Sequence, residues 1–497
     1  MGFRLTANDL ASCFRGKYLV TPRLYPVILF VLIFGVVLTF LNVYELHKVR
    51  TSLILPQAEK SEETGLIAWI DTTKFSAGHL QHVQNVFQRI GFKVVSEKPT
   101  LGDEMMSTFA HQRVNHFPGS GYFTNKMNLA TITSKYIPKA FQLPNGREAA
   151  LKYSKENPEK MFVLKSNVHR GISVQKIGDI DLAASGKFVQ EFVSNPLLID
   201  GHKFDIGVYV AITSVNPLRV YIYEGEVLFR FCPAEYYPFD PVNLDKYVVG
   251  DDYLPLWKVP SLSPFYNKLG LGMKDSFNAY LRANGRNDST WLRDVKAAIQ
   301  DILLSVESMM MNLITKYPHK EVFFEMTRFD FVLDENLKPF LMEANMSPNL
   351  SSKHFPPNRF LYEEVLYNLM SLVGLARHIS SDTLLYRSDD EEVMEVKDKD
   401  ISVFQELCAS KKCAEDCSVK ECKSFCVHCY SQGEKAELKR AYKEHLNRMR
   451  YRRVLPFPMY PSNAKEEFEE KRGLFDSNVW MLRWFRGMCL KDISFCQ

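Results

Sequence analysis

The pattern of apolar and polar positions predicts a membrane-length segment ahead of a folded body. Residues 24–44 form a predominantly apolar run that contains no charged side chain. A helix of this length reaches about 31 Å, enough to cross the hydrocarbon core of a bilayer. A cleaved signal peptide has a shorter apolar core, and a helix of a globular body would keep a polar face. We therefore predict an amino-terminal flank at 1–23 and a single transmembrane anchor at 24–44.

A strand, a helix and a second strand open the body. Residues 66–70 and 92–95 are short apolar runs typical of strands, and Gly91 ends the helix between them. The apolar positions of that helix lie on one face: Leu80, Val83, Phe87 and Ile90. This β-α-β order predicts a small α/β domain at 65–135.

Between residues 136 and 376, strand-like runs alternate with helical ones, which predicts a larger mixed α/β (α+β) domain. The strand-like runs are 161–164, 187–193, 204–213, 219–223 and 322–333, and the helical ones are 275–282 and 291–316. We predict that a solvated acidic linker at 377–407, a cysteine-rich segment at 408–429 and a basic tail at 430–497 follow.

Composition narrows the class of protein. Of the 497 residues, 46% are hydrophobic and 24% are charged, which excludes a disordered chain and a polytopic membrane protein. The formal net charge of +4 gives no indication of a nucleic-acid partner. The size favours an enzyme.

A hairpin is predicted where two apolar runs flank a polar turn. The runs are 323–333 and 339–345, and Asp-Glu-Asn separates them. If Glu335 and Asn336 are the central turn residues, Asp330 pairs with position 341.

Three polar side chains share one face in that register. Positions 341, 343 and 345 lie on the face of Asp330, which brings Asp330, Glu343 and Asn345 together. Oxygen ligands without cysteine or histidine suit Mg²⁺ that is held partly by phosphates. The alternative is an exposed polar face on an edge hairpin.

Upstream polar groups fit a phosphate-bearing ligand. Lys165 ends an apolar strand and precedes a loop, so its ammonium can bind phosphate while loop amides cradle it. Gln190, Glu191, Lys203 and Asp205 interrupt two further apolar runs. Together these residues indicate a cleft without naming a reaction.

Three blocks give the sequence a family resemblance. They are Asn-His-Phe-Pro-Gly at 115–119, Asn-Pro-Leu-Leu-Ile-Asp-Gly-His-Lys-Phe-Asp at 195–205, and Pro-Phe-Leu-Met-Glu-Ala-Asn-Met-Ser-Pro at 339–348. Over residues 65–376 the chain resembles the tubulin–tyrosine-ligase-like family, whose catalytic domain is an ATP-grasp fold that ligates amino acids to proteins. The resemblance implies an ATP-grasp ligase domain at 136–376.

The resemblance also implies a site. Asp330, Glu343 and Asn345 would hold Mg²⁺, and Arg230 would hold the carboxylate of the incoming amino acid. ATP contacts are implied for Lys165, Arg170, Gly171, Gln190, Glu191, Phe192, Val193, Lys203 and Asp205. Lys203 and Asp205 would act with Arg230 in catalysis.

The implied reaction is ATP-dependent amide-bond formation. An acceptor carboxylate becomes an acylphosphate, which the amine of a free amino acid attacks. Divergent members of the family resemble polyglutamylases, so free glutamate and tubulin or microtubules are the implied partners.

Two departures from the family pattern bear on activity. The family reads Lys-Phe-Asp-x-Arg, whereas Gly207 stands here in place of the arginine. The family's His-Leu-Thr-Asn block is missing near 247–253. A catalytically silent ATP-binding scaffold is therefore the alternative to an active ligase.

Cysteine placement raises the question of compartment. Six cysteines lie within 408–429, and Cys489 and Cys496 make eight. An even number is compatible with disulfides in an oxidising compartment, with zinc or unpaired thiols as alternatives. A cytosolic body would reach tubulin, whereas a luminal body would modify a secretory-pathway protein. Asn287 and Asn349 match the glycosylation sequon.

The basic stretch at 439–453 has two interpretations. A cationic helix there would bind acidic tubulin tails or an anionic membrane surface. The alternative is an ordinary solvated face.

Overall fold

The structure is a computed structural model that describes residues 30, 33–45, 66–71, 78–97, 112–166, 172–376, 395–465 and 473–497. It contains two compact units, Met1–Thr64 and Gly65–Gln497. In the first unit, helix α1 spans Ile33–Glu45 and its apolar side chains are exposed; Phe40, for example, is 72% exposed. The predicted anchor at 24–44 overlaps α1, and its remainder lies largely outside the described residues. The anchor stays a prediction.

A β-α-β unit opens the second unit, as predicted. Strands β1 (Ile67–Trp69) and β2 (Lys93–Val95) pair in parallel, and helix α2 (Gln81–Arg89) connects them. Gly91 ends the helix with a positive φ of 88°, a conformation that glycine adopts without steric cost.

Two further sheets follow, and the smaller is antiparallel, with four strands in the order β4-β7-β5-β6. These are β4 (Ala140–Gln142), β5 (Phe162–Ser166), β6 (Ser173–Gln175) and β7 (Lys187–Glu191). Helix α5 (Arg147–Glu156) covers one face, where Tyr153 packs against Phe141 and Phe162. Helix α5 does not cover the opposite face of this sheet.

The larger sheet has nine strands, and β9 is its centre. The strands are β3 (Val114–Asn115), β8 (Leu198–Ile199), β9 (His202–Val215), β10 (Leu218–Tyr223), β11 (Leu228–Phe231), β12 (Leu254–Pro255), β13 (Phe323–Leu333), β14 (Pro339–Asn345) and β15 (Tyr451–Leu455). Along one edge β9 pairs with β10 and β11, and along the other it pairs with β13. Most residues of β9 and all of β13 are buried, because helices cover the sheet.

Five helices pack around the larger sheet: α3 (Gly121–Thr124), α4 (Lys126–Thr131), α6 (Met273–Ala283), α7 (Ser289–Ile314) and α8 (Asn358–Leu372). By length and composition alone, α7 is the one helix in the described part of the chain that could cross a membrane. Its side chains Trp291, Val295 and Ile302 are completely buried in the main hydrophobic cluster. This burial is typical of a core helix.

The β13–β14 hairpin forms as predicted, but the predicted register is wrong. Asp330 pairs with Glu343, and Phe331 pairs with Leu341 across a bulge. The turn is longer than two residues, because the Asp334 carboxylate accepts hydrogen bonds from the backbone of Asn336 and Lys338. The bulge turns Leu341 away from the face of Asp330 and into the core.

Short helical turns connect these elements. They are Ile177–Asp179, Leu244–Lys246, Leu256–Lys258, Pro264–Lys268, Lys320–Val322, Val427–Cys429 and Ile493–Cys496.

The carboxyl-terminal region is part of the folded body and not a tail. Strand β15 joins the edge of the larger sheet by pairing with β10. The helices of the carboxyl-terminal region are α9 (Asp398–Ile401), α10 (Gln405–Ala409), α11 (Lys411–Glu415), α12 (Lys420–Phe425), α13 (Gln432–Asn447), α14 (Pro461–Lys465) and α15 (Asp476–Lys491). The predicted solvated linker is also wrong in its described part, since Val396 and Ile401 are buried against α13 and α15 residues such as Leu438 and Trp484.

The residues of the basic stretch at 439–453 form ion pairs and hydrogen bonds within the fold. Lys439 pairs with Asp398 at 2.9 Å, and Lys443 pairs with Glu395 at 3.0 Å. Arg453 is buried and donates to backbone carbonyls. A free cationic helix is therefore not what these residues form.

All eight carboxyl-terminal cysteines are paired. The disulfides are Cys408–Cys426, Cys413–Cys422, Cys417–Cys429 and Cys489–Cys496. Three of them close a segment of about two dozen residues around a small cysteine-lined core. Of the alternatives that the sequence leaves open, the structure has disulfides.

Candidate functional site

Asp330 lies at the centre of the candidate site, buried in the middle of β13. Arg328 donates two hydrogen bonds to its carboxylate, from Nε to Oδ1 at 2.7 Å and from Nη2 to Oδ2 at 2.9 Å. Oδ2 also accepts from Arg230 at 3.1 Å and from the Asn345 amide at 3.0 Å. Burial by itself would raise the pKa of Asp330, but the two guanidinium groups outweigh it and lower the pKa. Asp330 is therefore an anion at neutral pH.

Arg230 bridges Asp330 to a second buried carboxylate. It lies on β11 directly opposite Asp205 on β9, and its Nε and Nη2 each donate to Asp205 at 2.9 Å. Burial raises the pKa of Asp205; the charge of Arg230 opposes this rise, and the negative charge of nearby Asp330 adds to it. Two carboxylates thus share one guanidinium.

Glu343 and Asn345 form the more exposed side of the cluster. The Asn345 amide donates to Glu343 Oε1 and to Asp330 Oδ2, each at 3.0 Å. Lys126, at the start of α4, approaches Glu343 Oε2 at 3.5 Å. The structure therefore brings together Asp330, Glu343 and Asn345, although through a register that differs from the predicted one.

Two lysines lie near this cluster. Lys165 on β5 donates to the Gln190 side chain on β7 at 2.8 Å, and the Gln190 amide donates to the backbone of Pro138. Burial lowers the pKa of Lys165 to about 8, opposed by Glu343 and assisted by Lys126 and Lys203. The two sheets meet at this point, because Val163 on β5 and Val174 on β6 pack in one cluster with Tyr247, whose backbone carbonyl binds Lys203 of the larger sheet.

Lys203 is buried and held in place. Its ammonium donates to the backbone carbonyl of Tyr247 at 3.0 Å. That bond uses one of the three N–H groups of the ammonium.

The predicted adenine-pocket residues differ in where they point. Glu191 turns away from Lys165, accepting from Tyr153 at 2.7 Å and from Lys160 at 2.5 Å. Phe192 is buried against Phe239 and Tyr247, and Val193 is half-buried. The Glu191 carboxylate is therefore engaged within the smaller sheet, and the backbone N–H of Glu191 donates to the Lys139 carbonyl at 2.8 Å. Arg170 and Gly171 lie outside the described residues.

A family comparison agrees with this geometry. The model of the tubulin-tyrosine ligase family matches residues 103–381, which is more than half of the chain. The chain belongs to the tubulin-tyrosine ligase family. It is therefore a ligase that forms amide bonds, as predicted.

Curated relatives resemble the chain to different extents. A probable tubulin polyglutamylase of Caenorhabditis elegans, ttll-15, is 37% identical over 442 residues, which cover 84% of each protein. Tubulin polyglutamylase TTLL6 of Mus musculus is 28% identical over 294 residues, 55% of this chain and 35% of the relative. Tubulin monoglutamylase TTLL4 of Mus musculus is 29% identical over 283 residues, 53% of this chain and 24% of the relative. The chain thus spans only a minor part of the two mouse proteins.

The missing family arginine at position 207 has a structural counterpart. Gly207 pairs with Asp330 across the β9–β13 ladder, and the space beside it is filled by Arg328. Sequence reasoning did not single out Arg328, although an arginine inside an apolar run, two positions before Asp330, lies on the same face of the strand. Lys126 was also overlooked as a partner of the cluster.

The second departure leaves a structural role for residues 247–253. Tyr247 supplies the carbonyl that holds Lys203, and the hydroxyl of Tyr253 accepts from the Asn358 amide at 2.7 Å. Burial raises the pKa of Tyr253 beyond its ordinary range. These tyrosines support the site and supply no threonine–asparagine pair.

The donor set of the cluster fits a divalent cation bound together with phosphates. Asp330 and Glu343 would supply carboxylate oxygens and Asn345 its amide oxygen, which the two hydrogen bonds donated by its amide nitrogen do not use; none of the three is a soft ligand. Asp330 Oδ1 accepts one hydrogen bond among the described residues, from Arg328. A carboxylate oxygen has about two lone pairs, so Oδ1 keeps one for a metal.

Proposed function

We propose that the protein is an ATP-dependent ligase that adds glutamate to carboxylates of tubulin tails through an acylphosphate. The observation that carries this proposal is the cluster of Asp330, Glu343 and Asn345, which Arg230 joins to Asp205, two residues from buried Lys203 on β9. Lys165 lies on the smaller sheet, which packs against the Tyr247 region that binds Lys203. The relatives named as tubulin polyglutamylases and monoglutamylases support glutamate and tubulin as substrates. On this proposal the two sheets form an ATP-grasp cleft.

Each group in the cleft has a proposed task. Lys165 and Lys203 bind the phosphates of ATP, and Mg²⁺ held by Asp330, Glu343 and Asn345 would neutralise phosphate charge. The oxygen of an acceptor carboxylate attacks the γ-phosphorus, the bond to the β-phosphate oxygen breaks, and ADP leaves. The lysines stabilise the charge that develops on the transferred group.

The second step forms the amide. The amine of free glutamate attacks the acyl carbon, inorganic phosphate leaves, and the nitrogen releases a proton. Arg230 is proposed to hold the carboxylate of that glutamate. Its bonds to described residues use Nε and Nη2, so the N–H groups of Nη1 remain for a substrate.

Intact-mass analysis tests the proposal. The full chain in detergent micelles is incubated with tubulin, ATP, Mg²⁺ and glutamate, beside Glu343→Gln. We expect mass increments of one glutamate residue with the wild type and none with Glu343→Gln. Glu335→Gln is the matched control, because Glu335 is an exposed turn residue of the same hairpin. No increment with ATP binding intact would contradict the ligase and favour the silent scaffold.

The disulfides favour a second candidate, a ligase that acts on a luminal secretory-pathway protein. Four disulfides are the pattern of an oxidising compartment, from which cytosolic tubulin is inaccessible. Asn287 is exposed, so a glycan there would be tolerated, whereas one on Asn349 would lie close to the β14 cluster. Protease protection in sealed microsomes, with and without detergent, distinguishes the two. Protection of the body, together with a glycan on Asn287, would exclude tubulin as acceptor.

A further inference from the structure

Gly207 and Arg328 are a matched pair on neighbouring strands. An added Cβ at Gly207 would lie 2.8 Å from Arg328 Cδ, 3.2 Å from its Nε and 3.2 Å from Asp330 Oδ1. Real Cβ atoms do not approach other heavy atoms at 2.8 Å. Because the backbone of Gly207 is ordinary extended strand, the requirement for glycine here is one of space and not of conformation.

The Arg328 side chain fills the space beside Gly207. It is 5% exposed, and its two hydrogen bonds to Asp330 have the parallel geometry of an arginine–carboxylate fork. Without Arg328, Asp330 Oδ1 would lose its one hydrogen-bond donor among the described residues, and Arg230 alone would face two buried carboxylates. Arg328 therefore fixes both the charge and the orientation of Asp330.

We propose that Arg328 is the positioning residue of the cation site. We also propose that position 207 is glycine because a side chain there would occupy the space of Arg328. The family resemblance places an arginine at position 207, so the chain has moved this guanidinium one strand across and has not lost it. The inference rests on the proposed function for its consequence in catalysis. It has its own readout in Mg²⁺-dependent nucleotide binding, which needs no acceptor protein.

The first test separates positioning from mere packing. Arg328→Met keeps most of the buried volume and removes the fork, and exposed Arg293→Met is the matched control. We expect Arg328→Met to weaken ATP binding in Mg²⁺ by about 10- to 100-fold and to change binding in EDTA little, as outer partners of metal ligands do. Equal loss in both media, or none in either, would overturn the proposal.

Arg328→Lys keeps the charge without the fork and guards against a variant that does not fold. We expect it to retain the fold and to show a smaller loss of Mg²⁺-dependent affinity than Arg328→Met. Wild-type affinity for Arg328→Lys would overturn the role of the fork.

The second test exchanges the two residues. Gly207→Arg places two guanidinium groups in space for one, so we expect a lower thermal midpoint and lost Mg²⁺-dependent binding. The double variant Gly207→Arg/Arg328→Gly should restore both properties to near the wild type. A double variant no better than Gly207→Arg would overturn the matched pair.

Failure of the proposed function is distinguishable from failure of this inference. A wild type that binds ATP in a Mg²⁺-dependent way without forming glutamyl amides contradicts the ligase and leaves the binding tests valid. A wild type without Mg²⁺-dependent binding overturns both.

Discussion

Two buried arginine–carboxylate networks lie on the larger sheet, and they differ in whether they are closed. Arg219 donates to Glu444 through Nε at 2.8 Å and Nη2 at 3.0 Å, and through Nη1 to Glu437. Thr213 and Tyr221 complete the bonding of Glu444. All of these side chains are buried or nearly so.

The network at Asp330 is open on one side. Asp330 is buried, but the side chain of Glu343 is 31% exposed and that of Lys126 is 23% exposed. The Arg219 network joins helix α13 to the sheet, and within the described part of the chain its two carboxylates accept hydrogen bonds from Arg219, Arg440, Thr213 and Tyr221. The comparison teaches that a buried arginine–carboxylate pair alone does not mark a functional site; the open side of the Asp330 network is what makes it the candidate.

The largest effect is expected from opening the closed network. Arg219→Met leaves Glu444 buried without a cation and Glu437 paired with Arg440 alone, which costs about 3–5 kcal/mol of unfolding free energy. Urea denaturation measures this loss, with exposed Arg293→Met as the control that should change stability little. Adding Glu437→Gln and Glu444→Gln should recover part of the loss, and no recovery would contradict unpaired charge as its cause.

The open network should respond in the opposite way. Because Glu343 is partly exposed, Glu343→Gln should change the unfolding free energy by less than about 1 kcal/mol while lowering ligase turnover by about 100-fold or more. Denaturation and the glutamate mass assay are run on the same preparation. A large loss of stability would show that this network is structural too.

A third buried acid, Glu307, differs from both networks in how it makes the stability depend on pH. Glu307 on α7 accepts a hydrogen bond from Asn478 on α15, and burial raises the pKa of Glu307 to about 7. The folded state therefore holds this proton more tightly than the unfolded chain does. The resulting stability is fully present below about pH 4.5 and is lost as the pH rises through 7, by roughly 1–3 kcal/mol. Unfolding at pH 5 and pH 8 measures the change, and Glu307→Gln should remove it.

The smallest expected effect concerns Lys165. Its pKa of about 8 means that the free site loses positive charge as the pH rises from 7 to 9. We expect ATP affinity to fall by about tenfold or less over this range, as titration calorimetry would measure. Lys165→Arg stays charged and should flatten the profile. An equally steep profile for Lys165→Arg would assign the response to another group.

Much of the fold follows from local sequence, because strands and helices with strong periodicity keep their identity in the structure. The β-α-β start, β9, β10, β13 and α7 lie within a few residues of where they are predicted. The hairpin register is wrong, since neither the bulge nor the longer turn at Asp334 has a signal as strong as Asn-Gly. The carboxyl-terminal region was misread because its pairing with β10 spans more than two hundred residues.

The sequence predicted which residues form the cluster better than it predicted the side chains that contact them. Asp330, Glu343 and Asn345 come together because alternation on two neighbouring strands demands it. Arg328 had a signal, an arginine inside an apolar run on the face of Asp330, but its pairing with Gly207 had none, because the space beside a glycine leaves no mark in a single sequence.

The pairing of β15 with β10 has a consequence for synthesis. Residues 218–223 emerge from the ribosome long before residues 451–455, so this edge of β10 stays unpaired until residues 451–455 have been synthesised. An edge of this kind can recruit strands from other molecules. Truncated proteins or proteolytic fragments that end before residue 451 should therefore aggregate, even though they contain every residue of the cluster around Asp330.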